Sequence, residues 1–191
     1  MRYKELSRET KETTVYVKIN LDGQGDADIE TPIKFLSHML RSFSAHSLFD
    51  VSVKVKGDLN HHIVEDIALT LGQAIREASS DSLNIGRFGS ASVPMDESLA
   101  NVAIDFSGRP YCVVNLRTEW YLIEDVATED LTHFFESLAI SMKATIHVNV
   151  EYGLNDHHKV EAAFKALALA LRQALSLDNQ RKGIPSSKGT L

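Results

Sequence analysis

The chain holds a single cysteine, Cys112, among 191 residues. Disulfides within the chain are therefore impossible, and a cysteine-rich zinc site is excluded. The neighbours Tyr111, Val113 and Val114 are strand formers, so this thiol is expected to be a small buried group and not a nucleophile. Positive charge is also scarce. Twenty Lys and Arg against 26 Asp and Glu give a formal net charge of -6, which argues against a nucleic-acid binder with its basic face. No apolar run approaches the ~20 residues of a membrane span. The first residues, Met1 to Leu6, contain no apolar core of a secretory signal. A cytoplasmic location is the expectation. The remaining composition, 43% hydrophobic and 24% charged, is that of a globular protein. Its length suits one domain or two small halves sharing a core.

One pentapeptide pattern occurs twice. His61-His62-Ile63-Val64-Glu65 and His157-His158-Lys159-Val160-Glu161 hold four of the eight histidines. Neutral imidazole nitrogens and carboxylate oxygens are common ligands for zinc, manganese and iron. Two such clusters at matching places point to a pair of metals.

The surroundings repeat too. Thr14 to Gly23 and Leu99 to Gly108 alternate apolar and polar residues and end at a turn pair, which predicts a half-buried strand entering a hairpin. Helical spacing around one histidine follows in each case, Ile33 to Phe43 around His38 and Asp130 to Ala139 around His133. Then come an alternating strand (Phe49 to Val55, Thr145 to Tyr152), a glycine (Gly57, Gly153), the HHxxE motif and a long helix from Val64 to Ala78 or Val160 to Leu175. Each half reads strand, strand, helix, strand, helix, with a further strand expected. Internal duplication is the simplest account. It predicts an α+β fold in one compact domain, with helices between two outer mixed sheets. The expected parts are residues 1–88, residues 89–177 and a tail, 178–191, that reads as a mobile loop.

On a helix, i and i+4 share a face and i+3 lies close to it. His61 and His62 can each meet Glu65, but adjacent histidines splay by about 100°, which favours service to two different ions. His38, His61, His62, Glu65, His133, His157, His158 and Glu161 make eight candidate ligands. That is enough for two sites with positions left open for substrate or water. His46 reads equally as a helix-capping group or as a pocket residue, and His147 as a sheet residue. Arg87, Arg109, Lys165 and the stretch Ser186-Ser187-Lys188-Gly189 place cations and hydroxyls near turns, or one helical turn past Glu161. Such groups can hold an oxyanion, although each alone also reads as solvated surface.

Seven stretches in order carry a resemblance. They are Arg8-Glu9-Thr10-Lys11-Glu12-Thr13, Phe35-Leu36-Ser37-His38-Met39-Leu40, His61-His62-Ile63-Val64-Glu65-Asp66, Pro94-Met95-Asp96-Glu97, Asp105-Phe106-Ser107-Gly108-Arg109-Pro110, His133-Phe134-Phe135-Glu136-Ser137-Leu138, and Gly153 through Lys165. From about Glu5 onward the chain resembles the imidazoleglycerol-phosphate dehydratases of histidine biosynthesis. The resemblance implies two halves with helices sandwiched between two four-stranded sheets, and two divalent metal ions, Mn2+, per active site on the eight ligands above. It implies that Arg87, Arg109, Lys165, Ser187 and Lys188 hold the substrate phosphate, which makes 178–191 a phosphate-binding tail. His46 would line the pocket. Glu12 would move protons, with His61, His158, Glu65 and Glu161 acting in catalysis. It further implies a homo-oligomer of trimers assembled into a 24-mer, with active sites shared between subunits. Three departures stand out: only Asp58, Leu59 and Asn60 separate Gly57 from His61, where the family has a longer acidic linker; the stretch from Arg117 to Thr132 is shorter than the family's; and Ser37 occupies a position where an Asp is common.

The implied reaction dehydrates D-erythro-imidazoleglycerol phosphate to imidazole acetol phosphate, through a metal-bound imidazolate and a diazafulvene. A dinuclear hydrolase, predicting phosphate release from simple esters, and a metal-storage or sensing module, needing no phosphate cluster, are the other readings of the paired clusters.

Overall fold

Every second side chain of Thr13–Asn20 is apolar, and Val15, Val17 and Ile19 are fully buried. The same period recurs in Ser98–Asp105, where Ala100, Val102 and Ile104 turn inward. Each of these strands is the second of its half. The computed structural model describes residues 2–80, 84–178, 180 and 183–186. In chain order the first half contains β1 (Tyr3–Glu9), β2 (Thr13–Asn20), β3 (Ala27–Glu30), α1 (Lys34–Ser47), β4 (Asp50–Gly57) and α2 (Asn60–Ala78). The second contains β5 (Phe88–Met95), β6 (Ser98–Asp105), β7 (Tyr111–Asn115), β8 (Leu122–Ile123), β9 (Val126–Ala127), α3 (Thr128–Met142), β10 (Thr145–Tyr152) and α4 (Asp156–Ala174).

The two four-stranded sheets have the same order, β1-β2-β4-β3 and β5-β6-β10-β7, with one parallel pair each, β3 on β4 and β7 on β10. Helices α1 and α3 both end on a left-handed non-glycine residue at matching places, Leu48 (φ 60°) and Lys143 (φ 54°). This is the α+β sandwich expected from the repeat. The helices, however, pair across the halves: α2 packs on α3, and α1 on α4. Gly72 of α2 permits the first contact, since a Cβ there would lie 2.8 Å from the Leu138 carbonyl oxygen of α3.

The expected hairpin after β2 does not form. β3 passes to the far side of β4. The cause is Asp50, whose Oδ1 accepts the backbone N–H groups of Gln24, Gly25 and Asp26 at 2.8–3.1 Å. The turn at Asp22-Gly23 thereby wraps the end of β4 instead of folding back on β2. The long helices also begin earlier than their apolar periodicity, at Asn60 and Asp156, so both histidine pairs sit in a first helical turn. Asn155 caps α4 by accepting the His157 N–H at 2.9 Å.

One element has no counterpart in the first half. The short β8–β9 hairpin crosses to α1, where Asp125 accepts the N–H groups of Lys34 and Phe35 at 2.7 and 2.9 Å. It caps a helix whose own N-cap, Ile33, has no side-chain acceptor. Beside it the Lys159 ammonium is buried, 1% exposed, and donates to Asp156 Oδ1 at 2.8 Å and to the Arg117 carbonyl at 2.9 Å. Asp156 Oδ2 accepts the N–H groups of Glu119 and Trp120. Burial works to raise the Asp156 carboxyl, but Lys159 and these two N–H groups hold it below its usual range. Lys159→Met strands this buried carboxylate and should cost about 3–5 kcal/mol in urea unfolding at neutral pH. Because the native carboxyl is lowered, its contribution is complete above the ordinary value near ~3.9 and is lost as pH falls through the lowered one. The gap between wild type and variant should therefore narrow in acid.

Among the described residues no helix is long and apolar enough to cross a membrane. Burial, with Glu136 nearby, pushes the Cys112 thiol up to about 12, so at neutral pH it is an unreactive thiol.

Candidate metal centre

Among the described residues two groups place ligand atoms within 4.8 Å of one another: His38, His157 and Glu161, and His61, Glu65 and His133. Each draws on both halves. His38 on α1 and His157 on α4 both present Nε2 at 3.5 Å from Glu161 Oε2. His133 on α3 presents Nε2 at 3.5 Å from Glu65 Oε1 on α2, and its ring stacks on His61 with centroids 5.0 Å apart. The crossed packing of α1 on α4 and α3 on α2 produces both groups. The short Gly57–His61 connection delivers His61 into its group, with the same four-residue spacing that joins Gly153 to His157.

Two imidazole nitrogens and one carboxylate oxygen, with no thiolate, are a donor set that fits manganese, zinc, iron or cobalt. Three protein ligands leave open positions on such an ion. Two of the four histidines are oriented from behind. His61 Nδ1 meets Asp130 Oδ1 at 2.7 Å, and His157 Nδ1 meets Glu124 Oε1 at 3.1 Å. A carboxylate on Nδ1 fixes the ring and leaves the Nε2 lone pair for a cation. Glu161 is buried, which works to raise its carboxyl, but the Lys165 ammonium at 2.8 Å and His38 outweigh this and lower it.

His62 and His158 lie outside both groups. About one hundred degrees round from their neighbours, they turn to other carboxylates. His62 Nδ1 is 2.8 Å from Asp58 and 3.8 Å from Glu12, and His158 Nδ1 is 2.8 Å from Glu97, with its Nε2 3.9 Å from Asp96. The Asp58 and Glu97 hydrogen bonds raise the two imidazoles above their usual range. The Glu12 carboxylate is half-exposed, and among the described residues its nearest charged neighbour is this distant His62.

The basic residues do not gather in one place. Lys165 donates to Met95 Sδ at the end of β5. Arg87 precedes the start of β5, where it grips Asp105 at 2.7 and 3.1 Å and the Pro185 carbonyl at 2.8 Å. Eight residues of strand at about 3.3 Å each separate those two ends by roughly 23 Å. Arg109 is exposed and 4.0 Å from the same Asp105. His46 is lowered by burial and then by Lys165, with Glu161 opposing, so it stands beside that lysine. Ser187 and Lys188 lie outside the described residues.

The carboxylates behind the histidines were not identified from the sequence. Asp58 was accessible, four residues before His62 and just ahead of the first turn of α2. Asp130, Glu124 and Glu97 were not, being 69, 33 and 61 residues from their partners. Ser37 backs no histidine; it bonds Thr31 and the Ile33 carbonyl at the start of α1.

A family model described as imidazoleglycerol-phosphate dehydratase matches residues 31–171. An imidazoleglycerol-phosphate dehydratase of Methanothermobacter thermautotrophicus is 50% identical over 194 residues, covering 100% of this chain and 98% of that protein. One of Methanosarcina mazei is 47% identical, with 100% of both chains covered. The crystal structure of IGPD from Pyrococcus furiosus in complex with (S)-C348 superposes with a TM-score of 0.85 at 39% identity, covering 97% of this chain and 100% of that one.

Proposed function

The chain belongs to the imidazoleglycerol-phosphate dehydratase family, and from this we propose that it dehydrates D-erythro-imidazoleglycerol phosphate to imidazole acetol phosphate in histidine biosynthesis. The two crossed histidine and carboxylate groups carry the reading. The reaction has a specific difficulty, because the hydrogen to be removed is on a carbon with no adjacent carbonyl and is not acidic. Two divalent ions, Mn2+ by family resemblance, would be held by the two groups and would lower the pKa of the substrate's imidazole ring, making it an electron donor.

The remaining work falls to the chain's own groups. The electron-rich ring expels the hydroxyl of the adjoining carbon and becomes a diazafulvene. The next carbon then loses its proton to a base, and the resulting enol takes a proton on the adjoining carbon to give the ketone. The balance is loss of one water. Glu12 is the proposed carrier of these protons, because its carboxylate is exposed and engaged only at 3.8 Å. Arg87, Arg109 and Lys165, with Ser187 and Lys188, are proposed to hold the phosphate and set the register of the substrate chain.

The proposal includes sites shared between copies in a 24-subunit assembly of trimers. What supports this is the incompleteness of each site in one chain: His62 and His158 point away from both groups, and the basic residues sit at opposite ends of β5. The test is to purify the protein with metal analysis and assay imidazoleglycerol phosphate with and without chelator. An enolisable ketone should form, with activity lost on chelation and restored by Mn2+. Full turnover by metal-free protein, or release of inorganic phosphate instead of ketone, would defeat the reading.

A further inference from the structure

The duplication pairs residues whose roles can be compared. Gly57 and Gly153 are one such pair. A Cβ on Gly57 would meet Thr13 and Ile63, and one on Gly153 would meet Ser98 and Lys159. Thr13 therefore corresponds to Ser98, and Ile63 to Lys159, just as His62 corresponds to His158. Thr13 opens β2 and Ser98 opens β6. The residues immediately before them, Glu12 and Glu97, are thus structural equivalents, each in the turn that joins the first two strands of its half and each aimed at the second histidine of the nearby HHxxE.

Their surroundings differ. Glu12 meets His62 only at 3.8 Å. Glu97 is bonded through both oxygens. Its Oε2 is 2.8 Å from His158 Nδ1, while its Oε1 accepts the backbone N–H groups of Leu154 and Asn155 at 3.2 and 2.9 Å and the Ser98 hydroxyl at 3.0 Å. A carboxylate bonded four ways cannot swing to a substrate carbon and back. It can hold a ring and a loop in one place. We propose that Glu97 is a positioning residue for the reaction: it ties the loop that opens α4 to the β5–β6 turn and holds the His158 ring with Nδ1 protonated and the Nε2 lone pair free for a metal ion. The duplicated carboxylates have diverged, one into a free proton carrier and the other into a fixed support. The inference rests on the reading of His158 as a metal ligand.

Glu97→Gln tests it. The amide oxygen can keep the Leu154, Asn155 and Ser98 bonds. The amide –NH2 then faces His158 Nδ1, which must accept, and the ring proton moves to Nε2 where it blocks the metal. Chelator-stripped full-length protein is titrated with Mn2+, following the free ion by electron paramagnetic resonance, and the metal-free thermal midpoint is measured alongside. The expected result is about 10–100-fold weaker Mn2+ binding with the metal-free midpoint unchanged. Wild-type Mn2+ affinity in Glu97→Gln overturns the proposal, and so does a fall in the metal-free midpoint with affinity intact, which would make the residue merely structural. His158→Ala is run in parallel. If it too binds Mn2+ like wild type, His158 is not a ligand and the proposal falls with that reading; if it binds weakly while Glu97→Gln does not, only the role of Glu97 is wrong.

Discussion

Alanine at His38 and alanine at His157 should remove the same metal ion, although the two residues belong to different halves of the repeat. Both face Glu161 at 3.5 Å. Metal content is expected to fall from two ions per chain to one in either variant, and in Glu161→Ala. His133→Ala, His61→Ala and Glu65→Ala should each remove the other ion, because those three side chains form the second group. Turnover should drop on the order of a thousandfold in each, since a catalytic ion contributes several kcal/mol to transition-state stabilisation and about 1.4 kcal/mol is tenfold. Double variants make the test sharp. Groups that act as a unit are not additive, so His38→Ala with His157→Ala should be little worse than either alone and should retain one ion. His38→Ala with His133→Ala should retain none. A double variant of His38 and His61 that kept one ion would instead mean that each half builds its own site, and the crossed arrangement would be wrong.

Glu12→Gln is expected to lower kcat by about 10²–10⁴, the usual share of a positioned acid or base, with bound metal and thermal midpoint unchanged. Among the described residues the carboxylate accepts from no backbone group, and it lies beyond hydrogen-bond range of His62. Its turn is held independently by Thr13, which hydrogen-bonds the buried Asp66 that also accepts Arg8 Nε at 2.7 Å. Steady-state kinetics and metal analysis on one preparation suffice. Near-normal kcat would remove Glu12 from the chemistry, and loss of metal would recast it as a support like Glu97.

Much of the fold was legible because alternation and helical spacing are local properties. β10 runs Thr145–Tyr152 as its alternation predicts, and the histidine-bearing stretches of α1 and α3 are helices. Where the fold departs from its local pattern, a distant residue intervenes. The turn after β2 has the composition of a hairpin, but Asp50 captures its N–H groups and carries β3 across β4. The apolar period marks α2 and α4 only from Val64 and Val160, because histidines, not apolar residues, occupy their first turns. The β8–β9 hairpin is too short to show a period.

For the site, the repeated HHxxE and the single histidines of α1 and α3 mark eight candidate donors by residue type and spacing, and six of them fall in the two clusters. The i,i+4 spacing pairs His61 with Glu65 and His157 with Glu161, but nothing in the sequence says which histidine of the other half joins each pair. His38 and Glu161 are brought together only because α1 packs on α4, and Glu65 and His133 only because α2 packs on α3. A helix period dictates which face a side chain occupies and is silent about which helix that face will touch. The choice of partner comes from burying the apolar faces of both halves in one shared layer, and that layer brings the donors of two similar halves into two crossed groups.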